Sequence, residues 1–152
     1  MANTQAMCTS FMEQILEGVH NFTTGTGNTF KAALYLASAT VNASTTVYST
    51  SGEVTGTNYV AGGITVTNGT SPLSTNASAT AGTAYWTPSA SLTYTNVTLS
   101  TAFDAVLIYN SSASDKAVSV HTFGSQTVTA GTFTLTMPAN TTSTALLRLA
   151  TT

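Results

Sequence analysis

Residues Gly27–Val66 read GNTFKAALYLASATVNASTTVYSTSGEVTGTNYVAGGITV and carry two charges, Lys31 and Glu53. Thr, Ser and Asn take the places that Lys, Glu, Asp and Arg fill in most chains. The segment opens with a run suited to a strand, FKAALYL, and closes with a glycine pair, Gly62-Gly63. Threonine is β-branched, so it favours an extended backbone while offering a hydroxyl to water. A chain written this way builds sheet and solvates it without charge.

The rest of the sequence follows the same rule. Only 5 % of the 152 residues are charged and 42 % are apolar, against about a quarter charged in an average chain. Ser and Thr make up about a third of the chain. Disordered chains are charge-rich and poor in apolar residues, so this composition excludes that class. The length suits one domain with a real core.

Lys31, Lys116 and Arg148 are the complete set of Lys and Arg, and the formal net charge is −2. A nucleic-acid binder needs a basic stripe to neutralise phosphates, and a basic membrane-surface helix needs the same; neither is present. No apolar run approaches the roughly 20 residues that span a bilayer. The start, MANTQAMC, lacks the basic flank and apolar region of a secretory signal. Cys8 stands without a partner cysteine and among apolar residues, where an inert buried thiol is expected.

Outward from the opening stretch, strand candidates are Thr29–Leu36, Thr45–Ser49, Asn58–Val66, Ala84–Thr87, Ser91–Leu99, Phe103–Tyr109, Ala117–Phe123, Gly131–Met137 and Thr144–Leu149. TFTLTM alternates most cleanly, with Phe133, Leu135 and Met137 on one face. AVLIY (105–109) has no polar alternation, as a strand buried on both faces requires. ALLRLA near the C-terminus reads the same way apart from Arg148. Turns fall at Ser51-Gly52, Asn68-Gly69 and Asp115-Lys116, and Thr70–Gly82 reads as a long exposed loop. No internal repeat is evident.

The N-terminal segment differs. Met7, Phe11, Met12, Ile15, Leu16 and Val19 recur at helical spacing, with Asn3 or Thr4 placed to cap the helix and Gly18 to stop it. Such a helix either packs on its own domain or docks its Met/Phe face on a partner. The expected organisation is therefore residues 1–28 as a helix and Gly/Thr linker, followed by 29–152 as an antiparallel β-sandwich or jelly-roll-like domain. The expected fold class is mainly β with one short α-helix.

Chemistry is sparse. His20 and His121 lie about a hundred residues apart with no cysteine or carboxylate cluster, so no zinc or calcium pattern forms. A Ser-His-Asp set around His121 and Asp104 can be drawn, but no G-x-S-x-G elbow exposes a nucleophile. Gly25-Thr26-Gly27 lacks the third glycine of a dinucleotide fingerprint and the lysine of a P-loop, and a hinge explains it better. Seven Asn-x-Ser/Thr triplets begin at Asn21, Asn42, Asn68, Asn76, Asn96, Asn110 and Asn140; in so hydroxyl-rich a chain they read as solvated surface. Arg148 is expected to pair with Glu53 or Asp104. No catalytic, cofactor or metal residue is assigned.

Several of these stretches together resemble structural proteins of tailed bacteriophages. Those proteins carry a short N-terminal helix ending near G-V-H-[DN]-F, a strand of the FKIALY type, an EV.GTGY.AGG stretch and an A.LIYN strand. The matching residues here are Gly18–Phe22, Phe30–Tyr35, Glu53-Val54, Tyr59, Ala61–Gly63 and Leu107–Asn110, with Lys116–Val118 and Phe123-Gly124 further on. The resemblance implies a non-enzymatic virion component, most plausibly a capsid decoration (cement) protein. It would be made in the bacterial cytoplasm, form a homotrimer and clamp neighbouring major capsid subunits. A tail, baseplate or fibre component recognising a receptor or carbohydrate is the alternative. Candidate partner contacts are Phe11, Met12, Ile15 and Leu16 on the helix, and the aromatics Tyr59, Tyr85, Trp86 and Tyr94.

Overall fold

The computed structural model describes residues 2–75 and 82–151. In chain order the elements are β1 (Ala6–Met7), α1 (Thr9–Leu16), β2 (Phe30–Leu36), β3 (Ile64–Thr65), β4 (Leu73–Ser74), β5 (Thr83–Trp86), β6 (Leu92–Asn110), β7 (Lys116–Leu135) and β8 (Leu147–Ala150). All pairings are antiparallel. One sheet has five strands in the order β1-β7-β6-β2-β3, and the other has three in the order β4-β5-β8. The described residues are thus mainly β with one short helix, as the threonine-rich alternation predicts. A jelly-roll order is not part of what the pairings show.

AVLIY anchors the larger sheet. Residues 105–110 of β6 are all buried, flanked by β2 on one side and β7 on the other. With no polar side chain in the run until Asn110, only a central position satisfies it. The hairpin closes between Asn110 and Lys116, where Ser114 and Asp115 adopt φ of 52° and 56°. Short polar residues tolerate that left-handed conformation best.

Four expected strands merge into two. Ser91–Leu99 and Phe103–Tyr109 are both part of β6, and Ala117–Phe123 and most of Gly131–Met137 are part of β7. The intervening residues do not turn the chain; they are absorbed as register shifts, including those between Val97 and Leu99 and between Leu99 and Phe103. Asn96 and Ala130 take positive φ within this irregular stretch, as bulges that add twist require. Beyond the buried half the ribbon alternates as TFTLTM predicts: Phe133, Leu135 and Met137 pack against the core while Thr132, Thr134 and Thr136 face solvent.

The stretch between β2 and β4 departs from expectation in the opposite sense. Of Asn58–Val66 only Ile64–Thr65 forms a strand, and Thr45–Ser49 meets the sheet at one bridge, Val47 to Lys116. Positive φ at Asn58, Gly62 and Gly63 breaks the ladder. In the expected loop Thr70–Gly82, Leu73–Ser74 instead pairs with Tyr85 and Ala84; its residues 76–81, including the Asn76 triplet, lie outside those described. The ALLRLA strand is not doubly buried: Leu147 is buried but Arg148, Leu149 and Ala150 are exposed, because β8 is an edge strand.

The N-terminal segment, as described from residue 2 to residue 28, shares its core with the sheets through Cys8, Phe11, Ile15 and Phe22. Ala6–Met7 pairs with Ser119–Val120 of β7, so the helix begins only at Thr9. Neither Asn3 nor Thr4 caps it. The Asn3 amide instead donates to Leu36 O (2.9 Å) and Asp104 Oδ1 (2.6 Å), and its oxygen accepts from Val41 N (3.1 Å). Cys8 occupies the N-cap position fully buried, and burial pushes its thiol up to about 11, which makes it inert. Gly18 ends the helix with φ 73°, as a C-terminal glycine should. The glycines that follow form no loose hinge: Gly27 N donates to Thr23 O and Asn28 N to Asn21 O, closing a tight turn. Phe22, carried on that turn, stacks on Phe30 at 4.2 Å and tilts against Trp86 at 4.8 Å. The small sheet is thereby joined to the large one through aromatic packing.

Candidate assembly interface

Two features could serve a function, and they are opposites: a polar knot inside and an apolar groove outside. The knot centres on Glu53, which is 5 % exposed. Its Oε2 accepts from Tyr48 OH (2.6 Å), and its Oε1 accepts from Tyr59 OH (2.7 Å) and Gly62 N (2.8 Å). Gly62 O in turn accepts from Tyr109 OH, and Tyr94 OH donates to Ala32 O, each at 2.8 Å. Burial is the largest cause pushing the tyrosines upward, Tyr35 and Tyr109 to about 12, with Tyr48, Tyr59 and Tyr94 moved in the same direction. All are neutral donors at ordinary pH. A buried acidic side chain is tolerated only when it is hydrogen-bonded, and three donors reach Glu53, two at Oε1 and one at Oε2.

The glycine pair makes the knot possible. A Cβ on Gly63 would sit 1.7 Å from Ala32 O, and φ there is 69°. Only glycine lets this turn lie against β2 while Gly62 points its N–H at the carboxylate.

A second junction ties the helix to the hairpin. Asn110 Nδ2 donates to His20 Nδ1 (3.0 Å) and to Asn28 Oδ1 (2.9 Å). Since Nδ1 accepts, His20 carries its proton on Nε2, which meets Gln14 Oε1 at 2.8 Å. Burial, with Lys116 adding a smaller effect, holds this imidazole down at about 4. Of the residues behind the phage resemblance, His20, Glu53, Tyr59, Gly62 and Asn110 sit in these two networks and Phe22 in the aromatic core. They hold the fold together.

No family model, curated protein or solved structure matches this chain. Its own geometry carries the functional argument.

The groove lies between α1 and the three-stranded sheet. Phe11 and Ile15 of the helix, Phe22, Tyr85, Trp86 and Leu149 are among the residues lining a wholly apolar space of about 80 Å³. Of the large apolar side chains left in water, Leu149 lines this space. Met12 and Leu16 on α1 and Leu73 on β4 are exposed on elements that border it, with Leu16 89 % exposed, while Val47 and Val60 are exposed elsewhere. The helix therefore packs on its own domain through Phe11, which is buried, and also presents Met12 and Leu16 outward.

Of the eight candidate contacts, Phe11, Ile15, Tyr85 and Trp86 converge on this groove. Phe11 and Trp86 are buried in the chain's own core, as is Tyr94, so none of the three presents a free surface. Ile15, Tyr59 and Tyr85 are half-buried, and Tyr59 is held by Glu53 and Leu34 N. Leu73, Leu147, Leu149 and Phe22 were not singled out by the sequence; the two-residue period of LLRLA at an edge strand is the signal that marks Leu147 and Leu149.

Other expected pairings dissolve. Arg148 meets neither acid, because Glu53 is enclosed by tyrosines and Asp104 is taken by Asn3. Ser119 Oγ and His121 Nε2 do lie 2.9 Å apart, but the Asp104 carboxylate is spent on the Asn3 amide. Among the described residues no group of three His, Cys, Asp or Glu could hold a metal. The triplet asparagines are not uniformly surface groups: Asn110 is fully buried, and Asn68 bonds Phe22 O and the Trp86 indole.

Proposed function

We propose that this chain is a non-enzymatic structural component of a tailed-bacteriophage particle, a cement protein that binds the outer capsid surface as a homotrimer and joins neighbouring major capsid subunits. The sequence resemblance to tailed-phage structural proteins carries the reading, and the open apolar groove, with Leu149 exposed in its lining and Met12, Leu16 and Leu73 exposed on the elements beside it, supports it by offering a surface to a partner. Fully burying an exposed Leu or Met side chain is worth about 1.5–3 kcal/mol; Leu16, 89 % exposed, has nearly all of that to gain, and Met12, Leu73 and Leu149, at 45 %, 45 % and 42 %, have somewhat under half. The sparse charge supports the same reading. Hydroxyl and apolar contacts lose little to salt, whereas exposed ion pairs are screened, and a shell protein meets both dilute and saline media.

The carbohydrate-binding alternative needs an exposed aromatic platform. With Trp86 and Tyr94 buried, Tyr85 and Tyr59 remain, each half-buried, so no observation favours it.

Quantitative mass spectrometry of purified particles tests the proposal. The expected result is a fixed, high copy number in simple ratio to the major capsid protein, with particles stripped of this chain rupturing more easily under osmotic shock. A handful of copies per particle overturns it.

A further inference from the structure

The residues of β8 divide between two spaces. Leu149 lines the apolar groove alone, Arg148 and Ala150 line a second cleft of about 440 Å³ beside β1, and Leu147 borders both, as Met7 of β1 does. The cleft is bounded by two sheet edges: β1 pairs only with β7, and β8 only with β5. Each leaves one side without a strand partner among the described residues, the arrangement to which an extended peptide adds by backbone hydrogen bonds.

The lining is half polar in character. Ser119, His121 and Arg148 supply polar groups, and Met7 and Leu146 supply apolar walls. Arg148 bears the one full charge in this lining. Burial holds His121 down at about 4, so at neutral pH it is an uncharged hydrogen-bonding group. Ser119 engages its Nε2, and Nδ1 has no protein partner among the described residues.

We propose that this cleft binds an extended peptide segment bearing a carboxylate side chain, paired with the Arg148 guanidinium, while its backbone adds to the open edge of β8. A lone cation in an otherwise uncharged cleft is complementary to one acidic group, and guanidinium matches carboxylate in a bidentate geometry. The volume falls in the range of ordinary binding sites. The inference does not rest on the capsid reading, since it concerns different side chains and a different chemistry.

The test is an NMR titration of the whole chain with two capped pentapeptides, Thr-Val-Glu-Val-Thr and its Gln twin, and with acetate, following the His121 imidazole and the β8 amides. The Glu peptide is expected to give saturable shifts at both, bound roughly two- to fivefold more tightly than the Gln twin, as loss of one solvent-exposed ion pair implies. Arg148→Met is expected to make the two peptides equivalent; its site is exposed on an edge strand, and unchanged β6 and β7 amide shifts verify that it folds. Equal binding of both peptides by the unaltered chain, or no saturable shift, overturns the proposal. Acetate reproducing the His121 shift while the β8 amides stay still also overturns it, by reducing the site to a small-anion pocket.

Discussion

The Glu53 knot and the apolar groove invert the usual arrangement in one small molecule. In the first, a carboxylate and tyrosine hydroxyls are buried and satisfied; in the second, leucine and methionine stand in water. The contrast teaches which residues serve the fold and which are left for something else. A buried polar group without partners costs free energy, so each donor to Glu53 is fixed by the rest of the structure. An exposed leucine costs the fold little and gains only when covered. Changes in the knot should therefore alter stability, and changes at the groove should alter association.

The largest effect is expected at the turn that closes the knot. Gly63→Ala places a Cβ against Ala32 O at a backbone angle that favours glycine, and should cost about 4 kcal/mol or more; a urea midpoint close to that of the unaltered chain would break the comparison. Glu53→Ala comes next. It leaves Tyr48, Tyr59 and Gly62 without their acceptor, at an expected cost of about 3 kcal/mol, read by the same denaturation experiment.

The pH dependence follows from the same burial. His20 and His121 are held at about 4, below their usual 6.5, so the unfolded chain takes up their protons first. Stability is present above pH 6.5 and declines as pH falls toward 4. Tyr35 and Tyr109 are raised from 10 to about 12, so stability is present below pH 10 and declines as pH rises toward 12. A thermal-melt series should show a plateau between these windows, and His20→Asn should flatten part of the acid limb.

Smallest in stability, and most telling, is the groove. Leu16→Ser should leave the unfolding free energy within about 0.5 kcal/mol of the unaltered chain, and Leu149→Ser, whose side chain is 42 % exposed, should cost about 1 kcal/mol, while both weaken co-sedimentation with capsids. A large stability loss would mean the groove is part of the core after all.

Much of this was legible in the sequence. AVLIY is central because an uninterrupted apolar run has no solvated face to offer, and TFTLTM is half-exposed because it alternates. Gly18 stops the helix as its position predicts. What the sequence hid was long-range. Whether Ser100-Thr101-Ala102 turns or bulges depends on the partner strand, and β7 settles it as a bulge. Asn3 has the chemistry of a helix cap, yet Leu36, Val41 and Asp104 compete for its amide and win. For Glu53 the sequence offers Arg148 as a partner, because nothing local announces that two tyrosines and a glycine turn will enclose it. The groove was half visible: helical spacing marked Phe11 and Ile15, but only the pairing of β5 with β8 sets Leu147 opposite Trp86 and Leu149 opposite Ala84.

The most direct test of the central claim is hydrogen–deuterium exchange of the free protein against the protein bound to capsids. The account predicts added protection at residues 9–16, 72–74 and 147–150, with the turn at residues 53–63 unchanged because it is already closed in the free chain. Protection confined to residues 53–63, with α1 and β8 unaffected, would contradict it.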